Sequence, residues 1–111
     1  MNSSSKNIDI KRFPSDGLVV LNFDGYFEDA DEIKEKIEPF VNQFRNIVVD
    51  VSKVEFINSR CFGLFMEMHG LIRDNKSTIY FMNPSKKFRI IYESLGANDF
   101  FEVIESLNDI E

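Results

Sequence analysis

The chain has 111 residues, of which 43% are hydrophobic and 29% are charged. This length and balance are those of one globular domain, so we expect neither a second domain nor a disordered or fibrous chain. The chain has 13 Lys and Arg against 19 Asp and Glu, which gives a net charge of −6. Nucleic acids and anionic membrane surfaces are bound mainly through basic residues, so an acidic chain disfavours both as partners. The single Cys excludes an internal disulfide, and no apolar run approaches the roughly 20 residues of a membrane span, so we expect a cytoplasmic protein without membrane insertion.

The first half of the chain predicts a hairpin followed by a helix. Residues 1–7 are polar and are predicted to be a flexible N-terminus, with one domain over residues 8–111. Alternating apolar residues over 8–13 and 18–23 predict two strands that are joined by a turn with Pro14 and Gly17. Residues 29–44 have helical periodicity and an acidic start, which the helix dipole favours, and Pro39 predicts a kink or a break.

The second half alternates between strands and helices. The segments 46–52, 77–83 and 99–104 are predicted to be strands, and 59–75 and 84–95 are predicted to be helices. Asn83 is the predicted cap of the last helix and Gly96 its stop. This order predicts an α/β fold with a mostly parallel, mixed sheet, whose first strand is an antiparallel edge.

Several short sequence motifs occur together in a characteristic order. A hydrophobic strand reaches Asp50, a link follows, and a helix then opens with Asn58-Ser59-Arg60-Cys61 and Phe62-Gly63-Leu64-Phe65. Later come Asn83-Pro84-Ser85, Ser94-Leu95-Gly96 and Phe100-Phe101-Glu102-Val103, and Asp24-Gly25-Tyr26-Phe27-Glu28 forms an earlier turn. Together these motifs resemble the STAS domain of anti-sigma factor antagonists and sulfate-transporter tails, over nearly the whole chain after residue 7.

The resemblance implies a STAS-like single domain with about four helices and a partner-switching role. In the family the phosphorylated residue is the Ser directly after an Asp, and Ser59 stands at that position. An unmodified member binds an anti-sigma factor or a related serine kinase and frees a sigma factor; phosphorylation ends the binding and a phosphatase restores it. The resemblance also implies that Asp24, Glu28 and Asp50 lie near this Ser, where they contact a partner or a nucleotide.

Three residues around Ser59 depart from the family pattern. Asn58 replaces Asp, Arg60 replaces Ser or Thr, and Cys61 replaces Gly. These changes favour an alternative, in which the domain is not phosphorylated and serves as a constitutive scaffold or assembly subunit in a signalling or transport complex. Both interpretations stay open at this point.

The position of Ser59 suits a charge switch on physical grounds. At the start of a helix its oxygen is predicted to act as the N-cap. A phosphate there would meet free backbone N–H groups and the positive end of the helix dipole, and it would add about −1.5 to −2 charges. Arg60 either pairs with that phosphate or faces solvent.

The helix after Ser59 has two distinct faces. At about 100° per residue the core stripe contains Cys61, Leu64, Phe65, Met68, Leu71 and Ile72, so the Cys61 thiol is expected to be buried and inert. The opposite face carries Ser59, Gly63, Met66 and Gly70, flanked by Phe62 and Arg73. Exposed Phe and Met beside Gly predict a partner or homodimer surface with Ser59 at its edge; the alternative is a loop of the same chain that covers them.

Other chemistries have little support in the sequence. One Cys and one His cannot form a Cys/His metal site, and Ser59 and His69 lie about 15 Å apart along one helix, which excludes a catalytic triad. Without a Gly-rich phosphate loop we expect no cofactor, and a receiver-type phosphorylation of Asp50 lacks the later Lys that it needs. The basic cluster at Lys86-Lys87-Phe88-Arg89 is either an anion or acidic-partner site or a solvated helix start. We therefore predict a non-enzymatic protein, with a small nucleotide hydrolase as the less favoured alternative.

Overall fold

The computed structural model describes residues 6–97 and 101–110, which form a five-stranded sheet with helices. The strands lie side by side in chain order, as β1 (Lys6–Phe13), β2 (Leu18–Phe27), β3 (Asn46–Ile57), β4 (Thr78–Met82) and β5 (Glu102–Ile104). β1 pairs antiparallel with β2, and the other three pairs are parallel. The predicted mixed sheet with an antiparallel N-terminal edge is therefore confirmed.

Within residues 6–97 and 101–110, three α-helices connect the parallel strands, namely α1 (Ala30–Ile37), α2 (Ser59–Asp74) and α3 (Lys86–Ser94). The expectation of about four helices is one too many for the described residues. The predicted break at Pro39 is present, because the chain turns into a 3-10 helix over Glu38–Phe40 directly after α1. The segment after β5 forms only a short 3-10 helix, Leu107–Asp109.

Several element boundaries differ from the sequence prediction. β3 continues five residues past 52 because Val54 and Ile57 bury their side chains in the core. β2 continues past Asp24 through two irregularities in its pairing with β3. Asp24 and Asp50 therefore lie within strands and not at strand ends. Residues 99 and 100 of the predicted last strand lie outside the described residues.

Ser85, and not Asn83, caps α3. The Ser85 Oγ accepts the backbone N–H of Phe88 at 3.1 Å and donates to the carbonyl oxygen of Val54 at 2.8 Å. Asn83 instead adopts a left-handed φ of 52°, a conformation that Asn tolerates better than most residues. The predicted cap at Asn83 is wrong for this reason, and the helix starts two residues later than expected.

The main core lies between one face of the sheet and the three helices. It contains Val19, Leu21, Ile47, Val49, Ile79 and Phe81 from the strands, together with buried residues of all three helices. The opposite face carries a separate small cluster, Val20, Val48 and Ile104, which contains no residue of α1, α2 or α3. We call this side the helix-free face. In the part of the chain that is described, no helix is long and apolar enough to cross a membrane.

Candidate functional site

Asn58 caps α2 and ties its start to another part of the chain. The Asn58 Oδ1 accepts the backbone N–H of Cys61 at 2.9 Å, and its Nδ2 donates to the carbonyl oxygen of Glu28 at 3.0 Å. The Asn58 backbone N–H also donates to the carbonyl oxygen of Phe27 at 3.2 Å. Asn58 has the extended backbone of an N-cap residue and Ser59 is already helical, so the prediction that Ser59 is the cap is wrong.

Ser59 is the first residue of α2, and it is exposed. Its hydroxyl has no hydrogen-bond partner among the residues that the structure describes, because Asn58 performs the capping role. The first N–H groups of a helix lack carbonyl partners within it, and they carry the positive end of the helix dipole. A phosphate on this hydroxyl would therefore lie in a favourable field and remain accessible to other proteins.

A basin with a net acidic lining lies beside Ser59, between the starts of α1 and α2. The basin has a volume of about 580 Å³, and its charged lining residues are Glu28, Asp29, Asp31, Glu67, Lys34 and Arg60. Four carboxylates face two cations, so the basin carries a negative formal charge. Arg60, which the sequence left between solvent and a phosphate, lies in this α1–α2 basin.

Gly63 and Gly70 leave the outer side of α2 without side chains. A Cβ at either position would meet nothing within 4 Å among the residues that the structure describes. Gly in a helix interior is about 1 kcal/mol less favourable than Ala, and no crowding within the chain explains the choice. Gly63 is exposed, and it also lines the α1–α2 basin.

Phe62 does not belong to this surface, although the helical pattern places it at the flank of the solvent face. Its side chain is 0% exposed. The ring centroid lies 5.0 Å from that of Phe88 on α3 and 6.1 Å from that of Phe81 on β4. The expectation that Phe62 contacts a partner directly is wrong, because α3 and β4 cover that flank.

The rest of the predicted helix face is partly confirmed. Met66 is only half-buried, and it packs against the main core. The predicted core residues of α2 are buried except Leu71, which is 42% exposed. The free surface of α2 is therefore narrower than predicted near its start, where only Ser59, Arg60 and Gly63 are open.

Cys61 is fully buried, as predicted. Its Sγ is 3.6 Å from the carbonyl oxygen of Phe27, to which the thiol donates. Burial raises the pKa of the Cys61 thiol. The thiol is therefore protonated at neutral pH and poorly nucleophilic, in agreement with the expected inert role.

Asp24 and Asp50 lie in a different groove. This groove has a volume of about 240 Å³ and is lined by Asp9, Lys11, Asn22, Phe23, Asp24, Asp50, Ser52 and Lys53. The Asp50 Oδ1 accepts the backbone N–H of Ser52 at 3.0 Å. Three acidic residues were expected near Ser59. Glu28 is close, since its backbone carbonyl accepts a hydrogen bond from Asn58, whereas Asp24 and Asp50 line this separate groove. Within the described residues, no group of three or more His, Cys, Asp or Glu is arranged to hold a metal ion.

The fold is a small α/β domain with an exposed Ser at the start of α2. The family model of the STAS domain matches residues 7–110, and the chain belongs to this family. No curated protein matches significantly in sequence.

Solved structures agree with this family. An anti-sigma factor antagonist from Mycobacterium paratuberculosis has a TM-score of 0.82 at 18% identity, covering 97% of this chain and 92% of that chain. The unphosphorylated anti-sigma factor antagonist SpoIIAA has a TM-score of 0.77 at 15% identity, covering 93% and 91%. The phosphorylated form of the Bacillus cell fate determinant SpoIIAA has a TM-score of 0.70 at 15% identity, covering 93% and 95%. At these identities the likeness shows the fold.

Two substitutions distinguish how much each of the two side-chain hydrogen bonds of Asn58 contributes to stability. Asn58→Asp keeps the cap acceptor, but it loses the donation to the Glu28 carbonyl and adds a carboxylate near Glu28. We expect it to lower the free energy of unfolding by about 1 kcal/mol, and Asn58→Ala, which removes both bonds, by about 2 kcal/mol. Urea unfolding measures both, with the same changes at the exposed Asn42 as controls. An Asn58→Asp protein as stable as the wild type would show that the tie to Glu28 contributes nothing.

Proposed function

We propose that this chain is a partner-switching regulator of the anti-sigma factor antagonist type, controlled by phosphorylation of Ser59. The proposal rests on the Ser59 hydroxyl. This group is exposed, has no hydrogen-bond partner among the described residues and lies at the positive end of the α2 dipole. The proposed partner of the unmodified form is an anti-sigma factor or a serine kinase, and a phosphatase reverses the modification. The role is one of binding in the cytoplasm, without catalysis.

The proposed contact surface surrounds the start of α2. It comprises Asn58, Ser59, Arg60 and Gly63, continues to Gly70 along the helix, and includes Glu28 from the segment after β2. The contact proposed for Asp24 would be separate from this surface, because Asp24 lines the groove of Asp50. The bare helix surface at Gly63 supports this proposal, because it lets the backbone of another protein approach closely. Phe62 supports the surface from below, and Met66 borders it.

A phosphate on Ser59 would change this surface mainly through charge. It would place about −1.5 to −2 charges beside the α1–α2 basin, whose lining includes Glu28 and Asp29. A partner that docks against the unmodified surface would then have to desolvate the phosphate in the contact. Repulsion and desolvation both weaken such a complex.

Asp50 stays a separate prediction as a nucleotide or anion contact. Its groove contains two cations, Lys11 and Lys53, beside three carboxylates. The two lysines would attract a phosphate, and the three carboxylates would repel it. We keep this assignment distinct from the switch at Ser59.

The experiment is a capture of partners from an extract of the source organism, identified by mass spectrometry. The baits are the wild type, Ser59→Asp and Ser15→Asp. Ser15 is exposed and precedes β2, whereas Ser59 follows β3, so Ser15 is a charge-matched control at the other end of the parallel strands. We expect an anti-sigma factor or a serine kinase with the wild type and with Ser15→Asp, and its loss with Ser59→Asp.

The alternative function gives a different result in the same experiment. A constitutive STAS assembly subunit would retain identical partners in all three captures. The substitutions at Asn58, Arg60 and Cys61 relative to the family pattern are the observation that favours this alternative. Retention of the partners by Ser59→Asp would therefore replace the switch with the scaffold role.

A further inference from the structure

An exposed pair of aromatic rings lies at the carboxyl ends of β2 and β3. Tyr26 and Phe56 are register partners, and their ring centroids lie 6.4 Å apart with the planes inclined by 29°. The next residue of each strand, Phe27 or Ile57, belongs to the main core. Because successive side chains of a strand point to opposite sides, the aromatic pair projects from the helix-free face.

Phe56 is exposed although this chain buries most of its Phe side chains. Of the Phe residues that the structure describes, nine are buried, and Phe13 and Phe56 are 38% and 37% exposed. Tyr26 is half-buried. Neither ring of the pair belongs to the main core or to the small cluster of the helix-free face. The interior of the domain therefore does not explain these rings, and their burial in a complex would be favourable.

An irregularity in the sheet brings the two rings together. Gly25 is paired with Val54, and the next pair along is Tyr26 with Phe56. Glu55 is therefore one extra residue on β3 between these pairs. Gly25 adopts a φ of 107°, which residues with a Cβ rarely take. A bulge of this kind re-aims a side chain, and bulges are over-represented next to active sites. Here it places Phe56 opposite Tyr26.

The aromatic pair lies close to Ser59 along the chain and in the fold. Phe56 precedes Ser59 by three residues, so their Cα atoms are at most about 11 Å apart. The Asn58 backbone N–H donates to the carbonyl oxygen of Phe27 at 3.2 Å, which joins the end of β2 to the start of α2. A specific interface covers about 800 Å² of each protein, a patch roughly 30 Å across. A partner that docks around Ser59 is therefore large enough to reach the pair.

A groove with a net positive lining adjoins the aromatic pair. The groove has a volume of about 450 Å³, and its charged lining residues are Lys53, Lys86, Lys87, Asp24 and Glu55. Lys53 and Phe56 are three residues apart on β3, and Glu55 directly precedes Phe56. Three cations face two carboxylates, in a chain whose net charge is −6. This groove therefore favours acidic side chains in whatever covers the pair.

We propose that Tyr26 and Phe56 anchor the protein partner through an apolar pocket whose rim carries carboxylates. The anchor rests on the proposed function, since its partner is the protein that docks around Ser59. The Phe56 ring enters the pocket, Tyr26 stacks against it, and Lys53 faces the rim. Aromatic anchors inside a polar rim are the usual composition of the most important contacts in a protein interface.

A carboxylate rim also gives the proposed switch its direction. A phosphate on Ser59 would place about −1.5 to −2 charges beside the anchor, where it would repel the carboxylates of the partner. A partner with a basic rim would instead bind the phosphorylated form more tightly. The positive groove and the proposed loss of binding on phosphorylation thus require the same partner chemistry.

Calorimetric titration tests the aromatic anchor. The probe is the anti-sigma factor or serine kinase that the wild type captures from the extract, in purified form. Phe56→Ala should raise its dissociation constant at least 30-fold, as expected of an interface hot spot. Phe13→Ala removes an equally exposed ring at the opposite edge of the sheet and should leave the affinity unchanged. Thermal unfolding shows that each variant is folded.

A change of charge tests the carboxylate rim. Lys53→Gln should raise the dissociation constant about fivefold at low salt and less at high salt, because salt screens exposed charges. The effect of Phe56→Ala should persist at both salt concentrations. Lys36→Gln, at an exposed position in the last turn of α1, is the matched control and should have no effect. Equal binding by Lys53→Gln and the wild type at low salt would contradict the carboxylate rim.

The pattern across the variants separates the anchor from the switch. If Phe56→Ala binds as tightly as the wild type while Ser59→Asp loses the partner, the anchor is wrong and the switch stands. If Phe56→Ala loses the partner and Ser59→Asp keeps it, the anchor stands and the switch is wrong. A wild type that captures neither an anti-sigma factor nor a serine kinase would overturn both.

Discussion

Replacing Phe62 with Ala is expected to lower the free energy of unfolding by about 4 kcal/mol, within the range found for buried Phe. The ring is 0% exposed, and it lies within about 6 Å, centroid to centroid, of Phe65, Phe81, Phe88 and Tyr92. Its removal leaves a cavity at the junction of α2, α3 and β4 that rigid neighbours cannot fill. A domain of this size has a total stability of about 5–15 kcal/mol, so this one substitution removes a large share of it.

Urea unfolding of the wild type and of Phe62→Ala measures this effect. The free energy of unfolding should fall with urea concentration at the same slope for both proteins. Leu71→Ala is the matched control on the same helix, because Leu71 is 42% exposed, and we expect a change below about 0.5 kcal/mol. If Phe62→Ala proved as stable as the wild type and lost only partner binding, Phe62 would be a surface contact, as the helical pattern alone suggests. The burial described above would then be wrong.

Replacing Gly63 with Arg is expected to weaken partner binding at least 100-fold without harming the fold. The new side chain has open space, since a Cβ there meets nothing within 4 Å in the described part of the chain. Arg is a better helix former than Gly, so the free energy of unfolding should rise by up to about 1 kcal/mol. In a complex that uses the bare surface of α2, the same side chain would prevent close approach.

Two comparisons make the Gly63 prediction specific. Ile90→Arg adds the same side chain on α3, where Ile90 is 58% exposed, and it should leave binding intact. Gly63→Ala should stabilise the protein and weaken binding only modestly, because it adds one methyl group. Titration of the captured partner measures all three variants. Unchanged affinity for Gly63→Arg would remove the outer side of α2 from the contact.

Hydrophobic patterning predicted the order of the elements and the mixed sheet, because each helix buries one face and the central strands β2 and β3 bury apolar side chains on both faces. The pattern could not predict which residue caps α2. Asn58 and Ser59 are adjacent, and both residue types are good N-caps. The choice of Asn58 depends on its bond to the Glu28 carbonyl, 30 residues earlier in the chain, which no local pattern contains.

The same limit explains the errors at Phe62 and Leu71. Helical spacing gives the angular position of a side chain, but it does not show which neighbouring elements cover that angle. α3 and β4 cover Phe62, and Leu71 stays open on the other flank. The separation of Asp24 and Asp50 from Ser59 was missed for a related reason, because the continuation of β2 and β3 past these residues rests on bulges and on the burial of Val54 and Ile57.

In the proposed function, a phosphate on Ser59 ends the binding of a protein partner. The most direct measurement is a calorimetric titration of the captured partner with the unmodified protein and with protein that carries phosphoserine at position 59. We predict that the phosphoserine form binds at least 100-fold more weakly, about 2.7 kcal/mol, and that phosphatase treatment restores the affinity. Equal affinity of the two forms would contradict the claim and leave Ser59 as an exposed helix residue without a switching role.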